Sequence, residues 1–518
     1  MVSISFGINI TSFALAVLFI VVLHVDCVVS SKACQFAQNY SAKELIENEA
    51  TLNRFLGEVF TWEHNFWKAA INPLNGMTYD GHALDETTGL LAPPLHDFSA
   101  ASKEAIPLMI CTRVFLGDDL AKVVVAGTDP SGAEKACFSM LTLKIKTLNE
   151  FNTMFPKFQG YLPWFKHNGT KIGLLQGWTD RVPALDNGEM IWGMYALYNV
   201  LQDSENGEYK NLGAAYKKYF DYMAQTAKPL FYKGDGHVAS VAQVGSTQQA
   251  ESNLKDLDDP YEGEMFTFFM DLFSPWKNES ERELLWIVKR PLLVSVDYQT
   301  PKGNITVQKG WWFSSHEQWK YMELPYFSVG INKRIFMNGE RARTQNSCLK
   351  GLPGLKASVT DVSDGNTKRT MQLGDYLSDN GIPEIAFQPS SDKEVFTPYA
   401  SFPTILANKS IGASWYLSMI KGSKMQGHYG STCSVSGDGT KIAPLVTWDS
   451  KMTTVIAMLG GVQDVVEKYL ERDGKLQRFK DVVTREWSLK FPKITGEEIP
   501  LCVPSESVPN ILPIFTHC

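Results

Sequence analysis

The sequence lacks most of the short motifs that identify enzyme classes. It contains no G-x-S-x-G nucleophile elbow, no P-loop, no H-E-x-x-H zinc motif and no glycine-rich dinucleotide fingerprint after a strand. Its eight cysteines include no C-x-x-C pair, which makes a structural zinc site an unfavourable interpretation. The acidic loop "LDDPYEGE" lacks the alternating oxygen ligands of a calcium loop. We therefore expect neither a metal nor a cofactor.

The sequence also lacks an excess of positive charge. The formal net charge is −7 at pH 7, and Lys and Arg are scattered along the chain. A nucleic-acid-binding protein needs a concentrated basic face, so we expect no nucleic-acid partner. The 518 residues are 44% apolar and 20% charged, which is typical of a globular protein with a large core.

Long hydrophobic runs are missing except at the N-terminus. The run from Phe13 to Leu23 is short for a membrane span and precedes small residues near Ser31. We interpret residues 1–30 as a signal peptide and residues 31–518 as a single catalytic domain, with no membrane attachment after cleavage. The charged segment that usually begins a signal peptide is absent, so an uncleaved anchor is the alternative.

Glycosylation sequons and cysteines fit a secreted, extracellular protein. N-glycans are possible at five Asn-X-Ser/Thr sites, namely Asn39, Asn168, Asn278, Asn304 and Asn408. Seven cysteines remain after Cys27 is removed with the signal, so at least one is free or pairs between chains. We expect a disulfide that ties the tail, at Cys502 or Cys518, to the body, and we expect a monomer.

Most of the remaining sequence has helical periodicity. The segment that begins at Ser41 opens with a capping box to Glu44 and predicts one long amphipathic helix. About a dozen such segments alternate with loops rich in Gly, Pro, Asn and Asp. A small β-hairpin is predicted around the turn "PKGN". The pattern predicts an all-α fold, a toroid of antiparallel helix pairs with long loops that build a cleft.

The loops that precede several helices mix carboxylates with aromatic and amide side chains. In "DDPYEGEMFTFFMDLFSPW", Glu262 and Glu264 lie beside Phe266, Phe268 and Phe269. A carboxylate in such apolar surroundings either begins a helix at the solvent or has a raised pKa that makes it an acid near neutral pH. Paired carboxyls and aromatic platforms are typical of glycoside hydrolases, because a sugar presents a hydroxyl rim and an apolar face.

At these residues the chain resembles the eukaryotic endo-β-1,2-glucanases of glycoside hydrolase family 162. The resemblance extends from about Leu56 to Gly461, and a more distant one to bacterial endo-β-1,2-glucanases implies an (α/α)₆ barrel. The blocks that carry it are "PALDNGEMIW", "YEGEMFTFFMDLFSP", "FSSHEQWKYMELPY", "RTQNS" with "PGLKASV", and "TWDSKMTTVIAMLGG". The resemblance implies an inverting glycosidase that cuts linear β-1,2-glucan internally and releases sophorooligosaccharides.

The resemblance also implies two catalytic carboxyls. Glu262 matches the general acid and Asp449 in "TWDSKMTT" matches the general base, which acts through a substrate hydroxyl. Without the resemblance, Glu262 could be a helix-terminal carboxylate and Asp449 an N-cap. Glu264 either binds sugar or holds the hydrogen-bond network of the site.

Further residues are predicted to contact or support the substrate. Together with Glu264 they are Asp186, Asn187, Trp312, His316, Glu317 and Tyr326. Asp186 and Asn187 could instead be helix caps, and His316 could be a structural histidine. Two other functions compete with an endo-β-1,2-glucanase: a secreted β-glucan-binding protein without turnover, and a glycosidase or phosphorylase of different linkage specificity on the same barrel.

Overall fold

The computed structural model describes residues 34–245, 255–362 and 376–517, so the predicted signal peptide lies outside the described residues. These residues form sixteen α-helices, in chain order α1 to α16: Ala42–Glu47, Glu49–Ala69, Ala101–Phe115, Asp119–Ala126, Ala133–Met154, Ala184–Asp203, Gly207–Phe231, Gly263–Phe273, Glu279–Lys289, Lys320–Glu323, Gly330–Leu349, Phe402–Ala407, Lys409–Ile420, Trp448–Met458, Gln463–Arg472 and Leu476–Lys490. The predicted all-α fold is confirmed.

Two kinds of helix occur along the chain. The helices α3, α6, α8 and α14 are buried at nearly every position, whereas α2, α7, α15 and α16 bury one face and expose the other. An inner ring needs the first pattern and an outer ring the second. One continuous hydrophobic core reaches from Phe36 to Phe515.

One predicted helix is divided in the structure. Ser41 and Glu44 form the predicted capping box, but Asn48 adopts an extended backbone and its side chain accepts a hydrogen bond from the Thr51 amide. Asn48 therefore ends α1 and caps α2. Further along, Gly460 and Gly461 adopt φ values of 93° and 69°, which separate α14 from α15.

Nineteen short strands lie in the described residues, β1 to β19: Gly81–Leu84, Leu91–His96, Phe98–Ser99, Phe165–Asn168, Lys171–Leu174, Arg181–Pro183, Tyr232–Gly234, His237–Val238, Val241–Gln243, Ser295–Thr300, Gly303–Gln308, Val359–Thr360, Tyr376–Leu377, Val395–Phe396, Gln426–Gly427, Gly430–Ser431, Ser434–Ser436, Ile442–Ala443 and Leu445–Thr447. The predicted hairpin is β10–β11, with Thr300 opposite Gly303. Several other strands pair across long stretches of sequence, and β1 pairs with β19 through Gly81 and Thr447.

Two disulfides join pairs of described cysteines. Cys111 bonds to Cys137, and Cys348 bonds to Cys502, which confirms the expected link between the tail and the body. Cys433 is a free, buried thiol. Within the described ranges, no helix has both the length and the apolar composition needed to cross a bilayer.

Candidate active site

A cleft of about 230 Å³ opens where the loops of the barrel meet. Its lining combines carboxyls, one cation, hydroxyls and large aromatic rings. These residues are Asp80, Ser102, Lys103, Trp164, Leu185, Asp186, Glu189, Trp319, Ser358, Ser378, Tyr399 and Asp449. Two of the predicted site residues, Asp186 and Asp449, therefore lie on the wall of the same cleft.

Asp449 lies in the first turn of α14, directly after β19. The residue at the N-cap position is Thr447, so the carboxylate of Asp449 is not used as a cap. Its Oδ2 lies 3.2 Å from the Lys103 Nζ, and its side chain is 30% exposed. Burial raises the pKa of Asp449, while the Lys103 ammonium opposes that rise. The geometry gives a carboxylate that is both accessible from the cleft and paired with a cation.

Asp186 and its neighbour Asn187 lie in the first turn of α6 but have different surroundings. Asp186 accepts hydrogen bonds from the Ser102 hydroxyl at 2.7 Å and from the Trp164 indole at 3.3 Å. Asn187 is buried and exchanges hydrogen bonds with the backbone of Leu162 and Pro183. Asp186 thus faces the cleft, whereas Asn187 fixes the start of the helix.

Glu262 lies immediately before α8 and is 7% exposed. Its side chain makes no helix-capping hydrogen bond. Burial raises the pKa of Glu262 well above the usual range, and the carboxylates of Asp259, Glu317, Asp186 and Asp449 raise it further. A buried carboxyl among like charges is protonated at a pH where an ordinary glutamate is ionised, as a general acid requires.

Glu264 points into the protein interior. It accepts hydrogen bonds from the Lys320 ammonium at 2.8 Å and from the Tyr326 hydroxyl at 2.5 Å. All three side chains are buried, and the Lys320 Nζ lies 4.6 Å from the centre of the Tyr326 ring. Glu264 therefore holds a hydrogen-bond network behind the start of α8, as one of the two sequence-based alternatives proposed.

We expect Glu264→Gln to destabilise the protein by about 3–5 kcal/mol, because it leaves the Lys320 ammonium buried without its counter-ion. Lys320→Met should cost a similar amount, and the double variant should cost less than the sum of the two single variants. Chemical unfolding of the four proteins measures this. Strictly additive losses would contradict a coupled buried ion pair.

The remaining predicted residues form a small group beside the cleft. The Glu317 carboxylate accepts hydrogen bonds from the backbone amides of Trp311, Trp312 and Ser314. Burial, together with Asp259, raises the pKa of Glu317 to about 7. The His316 Nδ1 accepts a hydrogen bond from the backbone amide of Ser358, a residue of the cleft wall.

The electrostatics of His316 fix its role more closely. Burial, helped by the positive charge of Arg343, lowers the pKa of His316 to about 3. Since a backbone amide can only donate, the Nδ1 is an acceptor and the proton of the neutral ring is on Nε2. His316, Glu317 and Trp312 therefore shape the loop next to the cleft, and direct substrate contact by them stays a prediction.

Sequence reasoning missed several residues of the cleft wall. Lys103 bridges Asp80 and Asp449 at 3.1 and 3.2 Å. Burial raises the pKa of Glu189 well above its usual range, and the Glu262 charge adds to this effect. Tyr399 accepts a hydrogen bond from the Trp319 indole at 2.8 Å. Asp80 lies just before β1, Lys103 lies in the first turn of α3 and Glu189 lies on α6. Residue type alone did not distinguish these three from surface charges.

The described residues contain no group of three or more His, Cys, Asp or Glu side chains arranged to hold a metal ion. The expectation that the protein uses no metal or cofactor stays a prediction. The chemistry available at the cleft is proton transfer to and from a ligand by carboxyl groups, together with hydrogen bonding and aromatic contact to a polyhydroxylated ligand.

Two similar solved structures are of an endo-β-1,2-glucanase. A mutant endo-β-1,2-glucanase from Talaromyces funiculosus in complex with β-1,2-glucan has a TM-score of 0.89 and 38% identity, over 94% of this chain and 99% of that chain. The enzyme from the same fungus in complex with sophorose has a TM-score of 0.87 and 38% identity, over 92% and 97% of the two chains.

A bacterial structure shares the fold at much lower sequence identity. The endo-β-1,2-glucanase from Chitinophaga pinensis, in complex with sophorotriose and glucose, has a TM-score of 0.62 at 11% identity, over 82% of this chain and 97% of that chain. This likeness concerns the (α/α)₆ barrel fold alone.

No curated protein sequence matches the chain. The family model described as endo-beta-1,2-glucanase SGL, of glycoside hydrolase family 162, matches residues 77–518. The chain therefore belongs to the endo-β-1,2-glucanases of glycoside hydrolase family 162 and is a glycoside hydrolase.

Proposed function

We propose that this protein hydrolyses linear β-1,2-glucan internally, with inversion, and releases sophorooligosaccharides. Glu262 is the general acid and Asp449 is the general base. One observation carries the assignment of roles: a buried carboxyl with a strongly raised pKa interacts with a cleft carboxylate that is paired with Lys103. The fungal relative that is 38% identical was solved with β-1,2-glucan, which supports the choice of substrate.

In the proposed reaction Glu262 protonates the oxygen of the scissile glycosidic bond. A water molecule attacks the anomeric carbon from the opposite face, and its proton passes to Asp449 through a hydroxyl group of the substrate. In an inverting reaction the two carboxyls act in one step and no glycosyl-enzyme intermediate forms. The raised pKa of Glu262 favours its protonated form, and the Lys103 cation beside Asp449 favours the carboxylate there, as this step needs.

The cleft wall supplies groups that suit a neutral sugar. Trp164 and Trp319 offer ring surfaces, while Asp186 and Tyr399 offer oxygen atoms at the same wall. A pyranose ring needs this combination because its faces are apolar and its edge carries hydroxyls. Asp186 is held in place by Ser102 and Trp164 before any ligand binds. We therefore propose Asp186 as a substrate-binding residue.

Product analysis tests this function. The purified protein should convert linear β-1,2-glucan into short sophorooligosaccharides, with new reducing ends appearing in phosphate-free buffer. Release of product only when phosphate is added would indicate a phosphorylase. Binding of the polymer without any new reducing ends would indicate a glucan-binding protein, and cleavage of a differently linked glucan alone would move the assignment to another specificity.

We also propose that the mature protein, residues 31–518, is a secreted monomeric glycoprotein with one catalytic domain. The continuous core supports one domain. All five sequon asparagines are exposed. The side chains of Asn278 and Asn408 accept helix-capping hydrogen bonds through Oδ1, which leaves their amide nitrogens available.

Secretion from a eukaryotic host should give a heterogeneous mass that falls by several glycans after treatment with an N-glycan-cleaving amidase. Each Asn→Gln change at a used site should remove one step of that mass difference, because the exposed amide nitrogen is the attachment point. Mass spectrometry of the intact chain measures this. An unchanged mass after the treatment would contradict passage through the secretory pathway or use of these sites.

A further inference from the structure

Lys103 is a buried cation shared between two carboxylates of the cleft. Its Nζ lies 3.1 Å from the Asp80 Oδ1 and 3.2 Å from the Asp449 Oδ2, and its side chain is 5% exposed. Burial alone would lower the pKa of Lys103, but the charges of Asp449 and Asp80 outweigh this effect and raise it. Lys103 is therefore a permanent positive charge on the wall of the cleft.

The second partner of Lys103 is itself fixed. The Asp80 carboxylate lies 2.5 Å from the His96 Nδ1, and the Asp80 carbonyl accepts a hydrogen bond from the Trp448 amide. Trp448 is the first residue of α14 and precedes Asp449. The β1–β19 pairing keeps Asp80 beside the start of this helix. The two strands are so close that a side chain at position 81, where Gly81 has none, would meet the Val446 carbonyl. Asp80 thus anchors Lys103 to the same helix that carries Asp449.

Lys103 is not arranged to bind an anionic ligand. Two carboxylates occupy its ammonium group, and the Trp164 ring lies 5.2 Å from the Nζ. It is the single lysine or arginine among the residues described as lining the cleft. Its charge is therefore directed at Asp449 and Asp80 rather than at a substrate phosphate.

Lys103 is surrounded by groups that would otherwise favour a protonated Asp449. Asp80 precedes β1, Asp186 and Glu189 lie on α6, and Glu262 precedes α8. Asp80 and Asp186 raise the pKa of Asp449 electrostatically, and Asp449 in turn acts on Glu189 and Glu262. Tyr399 also interacts with Asp449, Glu262 and Glu189. Lys103 is the cation that opposes these negative charges.

We propose that Lys103 is the positioning residue of the general base: it binds the Oδ2 of Asp449, keeps that side chain an oriented carboxylate, and leaves Oδ1 for the proton transfer. This inference rests on the proposed function, in which Asp449 accepts the proton. Lys103 itself does not need to touch the substrate. Its effect is on the protonation state and the orientation of Asp449, so it should be visible in the pH dependence of the reaction.

Two substitutions are expected to move the acidic limb of the pH profile of kcat/KM in opposite directions. Lys103→Met removes the cation, so the limb should shift to higher pH by about one to three units, with the largest loss of activity at low pH. Asp80→Asn removes a negative charge and leaves Lys103 to Asp449, so the limb should shift to lower pH. Lys103→Arg keeps the charge and should restore the position of the limb, although with a lower kcat.

Lys144→Met is the matched control. Lys144 is as deeply buried as Lys103 and is paired with Glu104, but it does not line the cleft. It should therefore reduce the stability of the protein and leave the acidic limb in place. An equal shift in Lys144→Met, or shifts of the same sign in Lys103→Met and Asp80→Asn, would overturn the proposal.

The outcome can be separated from failure of the proposed function. If Asp449→Asn abolishes activity while Lys103→Met retains the wild-type pH profile, the base assignment stands and the role of Lys103 is wrong. If Asp449→Asn is active, the base assignment itself is wrong and the role of Lys103 is overturned with it. Should Lys103→Met not fold, Asp80→Asn and Lys103→Arg decide the question: an unmoved limb in Asp80→Asn would overturn the proposal.

Discussion

Glu262→Gln is expected to lower kcat on linear β-1,2-glucan by about 10²–10⁴-fold, the contribution typical of a general acid. The amide has nearly the same shape as the carboxyl but cannot give a proton to the leaving oxygen. Glu262 is buried before α8 and makes no capping hydrogen bond, so the substitution should leave the helix intact. The rate at which new reducing ends form measures the loss.

The leaving group separates this explanation from damage to the fold. The dinitrophenolate group of a dinitrophenyl β-sophoroside departs without protonation, so Glu262→Gln should cleave this substrate with much of the wild-type rate. Glu205→Gln, at an exposed glutamate after α6, is the matched control and should behave as wild type on both substrates. If Glu262→Gln loses the two activities equally, the role of the residue is not that of an acid.

Asp449→Asn is expected to lower kcat by a comparable factor of about 10²–10⁴ on both the polymer and the dinitrophenyl substrate. Activation of the attacking water is needed whatever the leaving group is, so a better leaving group should not restore the rate. The change also removes the negative charge that is paired with the Lys103 ammonium, although the Asn oxygen can still accept a hydrogen bond from that ammonium. Steady-state kinetics on the two substrates measure the effect.

Selective rescue of Asp449→Asn by the activated substrate would contradict its role as the base. Ser450→Ala is a suitable control because Ser450 is the next residue of α14, is buried and bonds to Thr447 rather than to the cleft. It should lose little activity. Together the two variants assign different steps to Glu262 and Asp449, which a simple loss of structure would not do.

The sequence indicated the helical architecture because most helices carry strong local signals. Amphipathic periodicity predicted outer helices such as α7 and α16, and the capping box at Ser41 is present as expected. Helix α13 has no polar face because most of its residues are buried, so amphipathic periodicity could not predict this helix. The division at Asn48 was not predicted either. An Asn within a helical pattern is compatible with one continuous helix as well as with a cap between two helices.

Most of the short strands could not be predicted for a different reason. They are two to four residues long in many cases, and several have partners that lie far away in the chain. Strand β1 pairs with β19 through Gly81 and Thr447, more than three hundred residues apart. Alternation over so few residues is too weak to read, yet this pair positions Asp80 and Asp449 at one cleft.

The candidate site was predictable to the extent that motifs identify single residues. The family resemblance pointed to Glu262 and Asp449, and Asp186 was predicted as a substrate contact. In the structure the charges of Asp186 and Asp449 raise the pKa of Glu262. The resemblance could not show that Glu264 accepts hydrogen bonds from Tyr326 and from a buried lysine, because that lysine, Lys320, lies in another segment. Nor could it select Lys103, whose importance depends on two carboxylates that surround it only in the folded chain.

The anomeric form of the first products tests the central claim most directly. Following the hydrolysis of linear β-1,2-glucan by proton NMR within the first minutes shows the reducing-end anomer before mutarotation. With Glu262 as acid and Asp449 as base of a single displacement, the α-anomer should appear first. Initial release of the β-anomer would show retention through a covalent intermediate and would contradict the mechanism.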